Sequence, residues 1–102
     1  MDKSEAIDKA QRYTNTVGKK YALSRSLLFG SYARGNHHLY SDIDVAVVLK
    51  NVDNLFDAEV DLMHLRTNDD LLIEPHVFRE SDFGCDDPMV YEILHNYVEL
   101  KV

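Results

Sequence analysis

The segment LLFGSYARGNHHLYSDIDVAVVL, Leu27 to Leu49, constrains this chain more than any other. It opens and closes as apolar strand, turns through Gly30, Ser31 and Gly35, and sets Asp42 and Asp44 at the head of a run of Ile, Val and Ala. A carboxylate placed in a buried strand is costly unless something pairs with it. Strand side chains alternate, so Asp42 and Asp44 share one face while Ile43, Val45 and Val47 point the other way into a core. Their Cα atoms would lie roughly 6.6–7 Å apart. Carboxylates so spaced can lean together on one or two hard divalent ions, Mg²⁺ first and Mn²⁺ as an alternative. Asp-x-Asp alone is weak evidence, because edge strands also carry charges merely to prevent aggregation.

The third strand, Leu71 to Phe78, strengthens the case. Glu74 interrupts the apolar run LLIEPHVF and shares a face with Leu72, His76 and Phe78. If this strand pairs with the one carrying the aspartates, Glu74 becomes the third acid. Asp69 and Asp70, in the turn before it, are rivals, with solvated turn aspartates as the ordinary expectation. Gly30-Ser31 directly follows a buried strand and precedes one possible helical turn. Glycine permits close backbone approach, and the free N–H groups, the Ser31 hydroxyl and Arg34 suit phosphate. The Gly-Lys-Ser/Thr ending of a Walker loop is absent.

The remaining elements follow from periodicity and caps. Ala6, Ile7, Ala10, Tyr13 and Val17 mark a first helix, with Asp2 and Glu5 as a capping box and Gly18 at its end. Asp53 can cap a second helix whose apolar side would be Leu55, Phe56, Val60, Met63 and Thr67. Asp87-Pro88 starts a third, with Val90, Ile93, Leu94 and Tyr97 inward. Val98 to Val102 read as a last short strand. The expected fold class is α+β: a mixed, mostly antiparallel sheet of three to four strands with helices packed against it. The 102 residues are expected to form a single domain.

Composition excludes several classes. No apolar run approaches a membrane span, and the polar N-terminus is not a signal peptide. A formal net charge of −7 gives no footprint for long nucleic acid, and a bare polyphosphate would be repelled unless a local cation reversed the field. Cys85, the lone cysteine, reads as a bland loop thiol and fits a reducing cytoplasm. His37 and His38 read as exposed, since no zinc-ligand spacing accompanies them. Tyr32 and Tyr40 read as packing residues, with base stacking as the other option. Asp61 reads as exposed. Phe83, Met89 and Tyr91 are candidate partner contacts.

Gly30-Ser31, Arg34-Gly35 and Ser41-Asp42-Ile43-Asp44 at this spacing resemble the nucleotidyltransferase superfamily with a DNA-polymerase-β-like palm. The similarity is to its minimal nucleotidyltransferase group, and it extends through IEPHVF to the final helix. The resemblance implies Gly30, Ser31 and Arg34 at the nucleotide phosphates. It implies Asp42, Asp44 and Glu74 as catalytic metal ligands, with Ser41 and His76 as accessory residues. His76 otherwise reads as an ordinary hydrogen-bonded strand histidine. The implied cofactor is a pair of Mg²⁺ ions about 3.5–4 Å apart. The implied substrate is ATP or another nucleoside triphosphate, whose monophosphate passes to a hydroxyl. No second domain is expected to follow to hold a base or an acceptor substrate. In this group a separate HEPN-type helical protein often completes the site, and such pairs resemble toxin–antitoxin modules. The alternative is a non-catalytic antitoxin that neutralises its partner by complex formation. A homodimer is compatible with so small a sheet domain.

Overall fold

A computed structural model describes residues 1–84 and 86–102. Cys85 lies outside the described residues, as does the side chain of Asp69. The element order is α1 (Lys3–Gly18), β1 (Leu23–Phe29), α2 (Ser31–Arg34), β2 (Ile43–Leu49), α3 (Leu55–His64), β3 (Ile73–Arg79), α4 (Pro88–Ile93) and β4 (Val98–Glu99). Single 3₁₀ turns at Asn68–Asp70 and Glu80–Asp82 flank β3. The four strands form one sheet in the order β3-β2-β1-β4. β1 pairs antiparallel with β2 and β4, while β2 and β3 run parallel. The parallel pair is possible because α3 provides the crossover between them.

Local chemistry sets most element ends. The Asp2 carboxylate accepts from the Glu5 N–H at 2.8 Å and caps α1. The Asp87 carboxylate accepts from Met89 N–H at 2.8 Å, and Pro88 occupies the first turn of α4. α3 departs from expectation at its start: Asn54, not Asp53, caps it, accepting from the Asp57 N–H. α3 is also turned about its axis. Ala58 and Leu62 are its buried residues, with Leu55 and Leu65 partly buried, whereas Phe56, Val60 and Met63 are exposed. Small Ala58 allows close approach to the sheet, and the Tyr13 hydroxyl donates to the Leu62 carbonyl at 2.6 Å. Burial pushes the Tyr13 phenol well up from its ordinary value.

Two apolar clusters lie on opposite faces of the sheet. The larger joins Ala6, Ala10, Tyr13 and Val17 of α1 with Leu28, Ile43, Val45, Val47, Leu49, Ala58 and Leu62. The smaller joins Leu27, Ala46, Val48 and Ile93, with Phe29, Phe78, Phe83 and Leu94 around them. α1 and α3 cover the first face, and the short α4 covers only part of the second. Tyr97, expected inward, is exposed. No helix among the described residues is long and apolar enough to cross a membrane.

Candidate active site

The second face carries the acids because of strand alternation in β2. Ile43, Val45 and Val47 enter the large core, so Asp44 projects the other way, beside its register partners Phe29 on β1 and Glu74 on β3. Asp44 is about one-quarter exposed. One of its oxygens, Oδ1, lies 3.2 Å from His76 Nε2. The His76 ring is held edge-on to Phe29, with centroids 5.0 Å apart.

The other oxygen, Oδ2, faces Gly30. A Cβ added at Gly30 would lie 2.2 Å from it. Gly30 also has φ +77° and ψ −153°, a conformation essentially reserved for glycine. Two independent constraints therefore require glycine here: the turn from β1 into α2, and the carboxylate pressed against it. Ser31 opens α2, and Gly35 ends it with φ +81°. The Gly35 N–H donates to the Ser31 carbonyl, closing the helical turn.

Asp42 precedes the first residue of β2 rather than lying within the strand, and it is exposed. It flanks buried Ile43, whose N–H donates to the Leu72 carbonyl at 2.8 Å. The loop before it is closed by Ser41, which is buried. Its hydroxyl accepts from His38 N–H at 2.8 Å, and its own N–H donates to the His38 carbonyl at 3.1 Å. Asp42, Asp44, Ser31, Arg34 and Ser41 line one open depression of about 390 Å³. Glu74 is exposed and lines neither this depression nor its neighbour, although it stands in register beside Asp44. Among the described residues, no three acid or imidazole groups gather closely enough to enclose an ion.

A divalent cation nevertheless suits the donors. Asp42, Asp44 and Glu74 offer only oxygens, and Gly30 leaves space at Asp44 Oδ2. Mg²⁺ characteristically takes one or two carboxylates plus substrate phosphates instead of a closed protein cage. An open acidic shelf beside the Gly30–Ser31 turn matches that habit.

Other expectations change. His37 is half-buried and stacks on Tyr32 at 4.3 Å, and Tyr32 is fully buried. Burial, with Glu5 nearby, raises the Tyr32 phenol above its ordinary value. Tyr40 is exposed. Asp61 is not simply solvated: Lys20 Nζ lies 2.7 Å and the Tyr21 hydroxyl 2.6 Å from its carboxylate. Those partners hold its carboxyl below the ordinary value. Asp70, a rival third acid, is buried in its turn, accepting from the Thr67 hydroxyl at 3.1 Å. The larger depression of about 710 Å³, near Arg79 and Pro88, shares no residue with the acid site.

Sequence reading missed Glu92, His95 and Asn96. They line a second cleft of about 230 Å³ beside Phe29, Gly30, Arg34 and Asp44. Their only sequence signal is polarity at the end of an amphipathic helix, which is also what a solvated helix end looks like.

The profile of the nucleotidyltransferase domain matches residues 11–100. This chain belongs to the nucleotidyltransferase domain family. The matched span contains the Gly30–Ser31 turn, Asp42, Asp44 and Glu74. The nucleotidyltransferase is 30% identical over 84 residues to a Methanocaldococcus jannaschii protein described as a "putative protein adenylyltransferase", covering 79% of this chain and 84% of that one. Its fold is similar to the crystal structure of a "putative nucleotidyltransferase" from Sulfolobus solfataricus, with TM-score 0.71 and 23% identity. That match covers 95% of this chain and 80% of the other. Nucleotidyltransferases of this family generally use divalent metal ions.

Proposed function

We propose that this chain transfers a nucleoside monophosphate, AMP from ATP, to a hydroxyl on a partner protein, with release of pyrophosphate. The observation that carries this reading is the contact between Gly30 and Asp44 Oδ2, which makes the phosphate turn and the acid one site. A divalent metal, Mg²⁺ or Mn²⁺, held by Asp42 and Asp44 with Glu74, would neutralise phosphate charge and acidify the attacking hydroxyl. Gly30 and Ser31 present backbone N–H groups and a hydroxyl to the triphosphate, and Arg34 adds a cation over the same depression.

The acceptor oxygen attacks the α-phosphorus. A new O–P bond forms, the bond to the bridging oxygen of the β-phosphate breaks, and pyrophosphate leaves with that electron pair. Glu74, which stands in register beside Asp44, would serve either as a ligand of the metal or as the base that takes the hydroxyl proton. His76 holds Asp44 Oδ1, so the carboxylate keeps one orientation through the transfer. Positioning and charge neutralisation supply most of the acceleration in such reactions.

The name of the Methanocaldococcus relative supports a protein acceptor. The resemblance to minimal nucleotidyltransferases points to a HEPN-type helical partner in a cytoplasmic toxin–antitoxin pair. A purely occluding antitoxin would leave the Gly30–Asp44 contact without a purpose. The test is transfer of label from α-labelled ATP, with Mg²⁺, to a co-expressed helical partner. Asp42→Asn and Asp44→Asn are expected to lower transfer at least about a hundredfold. Equal labelling by wild type and both variants overturns the assignment. Absence of labelling, with partner neutralisation intact in the variants, favours the occluding reading.

A further inference from the structure

The cleft of about 230 Å³ on the α4 side of Asp44 has its own chemistry. It runs from Gly30 and Asp44 past the Phe29 ring to Glu92, His95 and Asn96, just beyond and at the end of α4. Complete small-ligand pockets span roughly 300–1,000 Å³. This cleft has room for only part of such a ligand. The adjoining depression, which shares Arg34 and Asp44 with it, is the obvious place for the remainder.

The two compartments differ in what they offer. To the shared Arg34 and Asp44 the loop-side depression adds the hydroxyl and amide donors of Ser31, Asn36 and Tyr40 and the carboxylate of Asp42, a set suited to an anion that arrives with a divalent cation. The α4-side cleft is rich in acceptors. An ionised Glu92 only accepts. His95 Nδ1 lies 2.9 Å from the Tyr91 carbonyl. A carbonyl cannot donate, so Nδ1 carries a proton, and Nε2 is an acceptor in the tautomer this contact selects. Asn96 contributes one acceptor and two donors. A phosphate tail would be repelled by Glu92, whereas on the loop side a divalent cation held by Asp42 and Asp44 would offset the same repulsion, so the tail belongs there. What fits beside Glu92 is a flat, uncharged group carrying N–H donors, with the Phe29 ring as its apolar wall.

The geometry points to this cleft as a nucleobase subsite in which Glu92 and Asn96 select a base bearing an exocyclic amino group. The inference rests on the nucleotidyl-transfer reading above. Adenine, guanine and cytosine each carry such an amino group. Where cytosine carries its amino group uracil has a carbonyl oxygen, and its one ring donor, N3–H, is flanked by two such oxygens, so uracil meets the Glu92 carboxylate less well. Selection would therefore be strongest against UTP.

Calorimetric titration of the full chain with ATP, GTP, CTP and UTP, each with Mg²⁺, tests this. UTP is expected to bind at least about tenfold more weakly than the tightest amino-bearing nucleotide. Glu92→Gln keeps the side-chain shape and adds a donor, so it should bring UTP within about threefold of that nucleotide. Its thermal midpoint should be unchanged, because Glu92 is exposed. Asn96→Ala should weaken the amino-bearing nucleotide and leave UTP unaffected. Equal wild-type affinity for all four, or an unchanged ratio in Glu92→Gln, overturns the base subsite while leaving nucleotide binding intact. Binding of none of the four overturns the transfer reading and the subsite together.

Discussion

β2 sends Ile43, Val45, Val47 and Leu49 to one face of the sheet and Asp44, Ala46 and Val48 to the other. On the first face, α1 and α3 close over the strands, and the core residues there are almost wholly excluded from water. On the second, the six-residue α4 covers Leu27, Ala46 and Val48 but stops short of Asp44 and His76, each about one-quarter exposed. The same strand thus anchors the fold with one set of side chains and leaves Asp44, from the other, open to solvent. The division follows from helix length: a short helix cannot shield the strand ends, so polar groups there keep access to water and ligand.

Mutations should separate the faces. Leu62→Ala, in the covered face, should lower unfolding free energy by about 2–5 kcal/mol in urea titration. Transfer per folded molecule should be unchanged. Asp44→Asn should do the reverse, changing stability by less than about 1 kcal/mol while abolishing transfer. Comparable stability losses from both would dissolve the distinction.

Gly30→Ala should cost about 1–3 kcal/mol, because its methyl group meets Asp44 Oδ2 and its backbone lies in a glycine-only region. Gly35→Ala is a direct control. Its φ is also positive, but no atom lies within 4 Å of the added methyl, so about 1 kcal/mol is expected. If Gly30→Ala proves as mild as Gly35→Ala, Asp44 is free to swing away and the open face is less ordered than it looks.

The smallest effect concerns the Lys20–Asp61–Tyr21 cluster joining α3 to the end of α1. Asp61 has a depressed pKa when folded, so its contribution is fully present above its ordinary value of 3.8 and disappears as pH falls through the folded value. Tyr21 is pushed up to about 12, mainly by its hydrogen bond to Asp61. Its contribution is present below 10.0 and is lost as pH rises toward 12. Asp61→Asn should flatten both limbs of the stability–pH curve measured by thermal melts, and unchanged limbs would show that solvent screens the cluster.

The α3 result shows where sequence reasoning is weakest. Leu55, Ala58, Leu62 and Leu65 form one apolar stripe, and Phe56, Val60 and Met63 form another. The sequence reading grouped Leu55 with the second, yet the first packs, because Ala58 allows the helix to approach and Tyr13 anchors Leu62. The exposed stripe beside it obeys the same periodicity, so no count of apolar positions could separate the two. The caps at Asp2 and Asp87 are different in kind. Each is a contact between residues two or three apart, complete within its own segment.

The sequence determined what depends on near neighbours: the alternation that puts Asp44 opposite Val45, the Gly30–Ser31 turn, and the elements strung along the chain. Tertiary structure decided what depends on distant segments meeting. It brought β3 parallel to β2, so that Glu74 stands beside Asp44 without joining Asp42 in one cluster. It pressed Asp44 against Gly30, and it carried Glu92, His95 and Asn96 to the cleft beside them. Alternation and turns are fixed by backbone sterics within a few residues. The meeting of strands and helices is fixed by how whole faces pack, and only the folded chain contains that information.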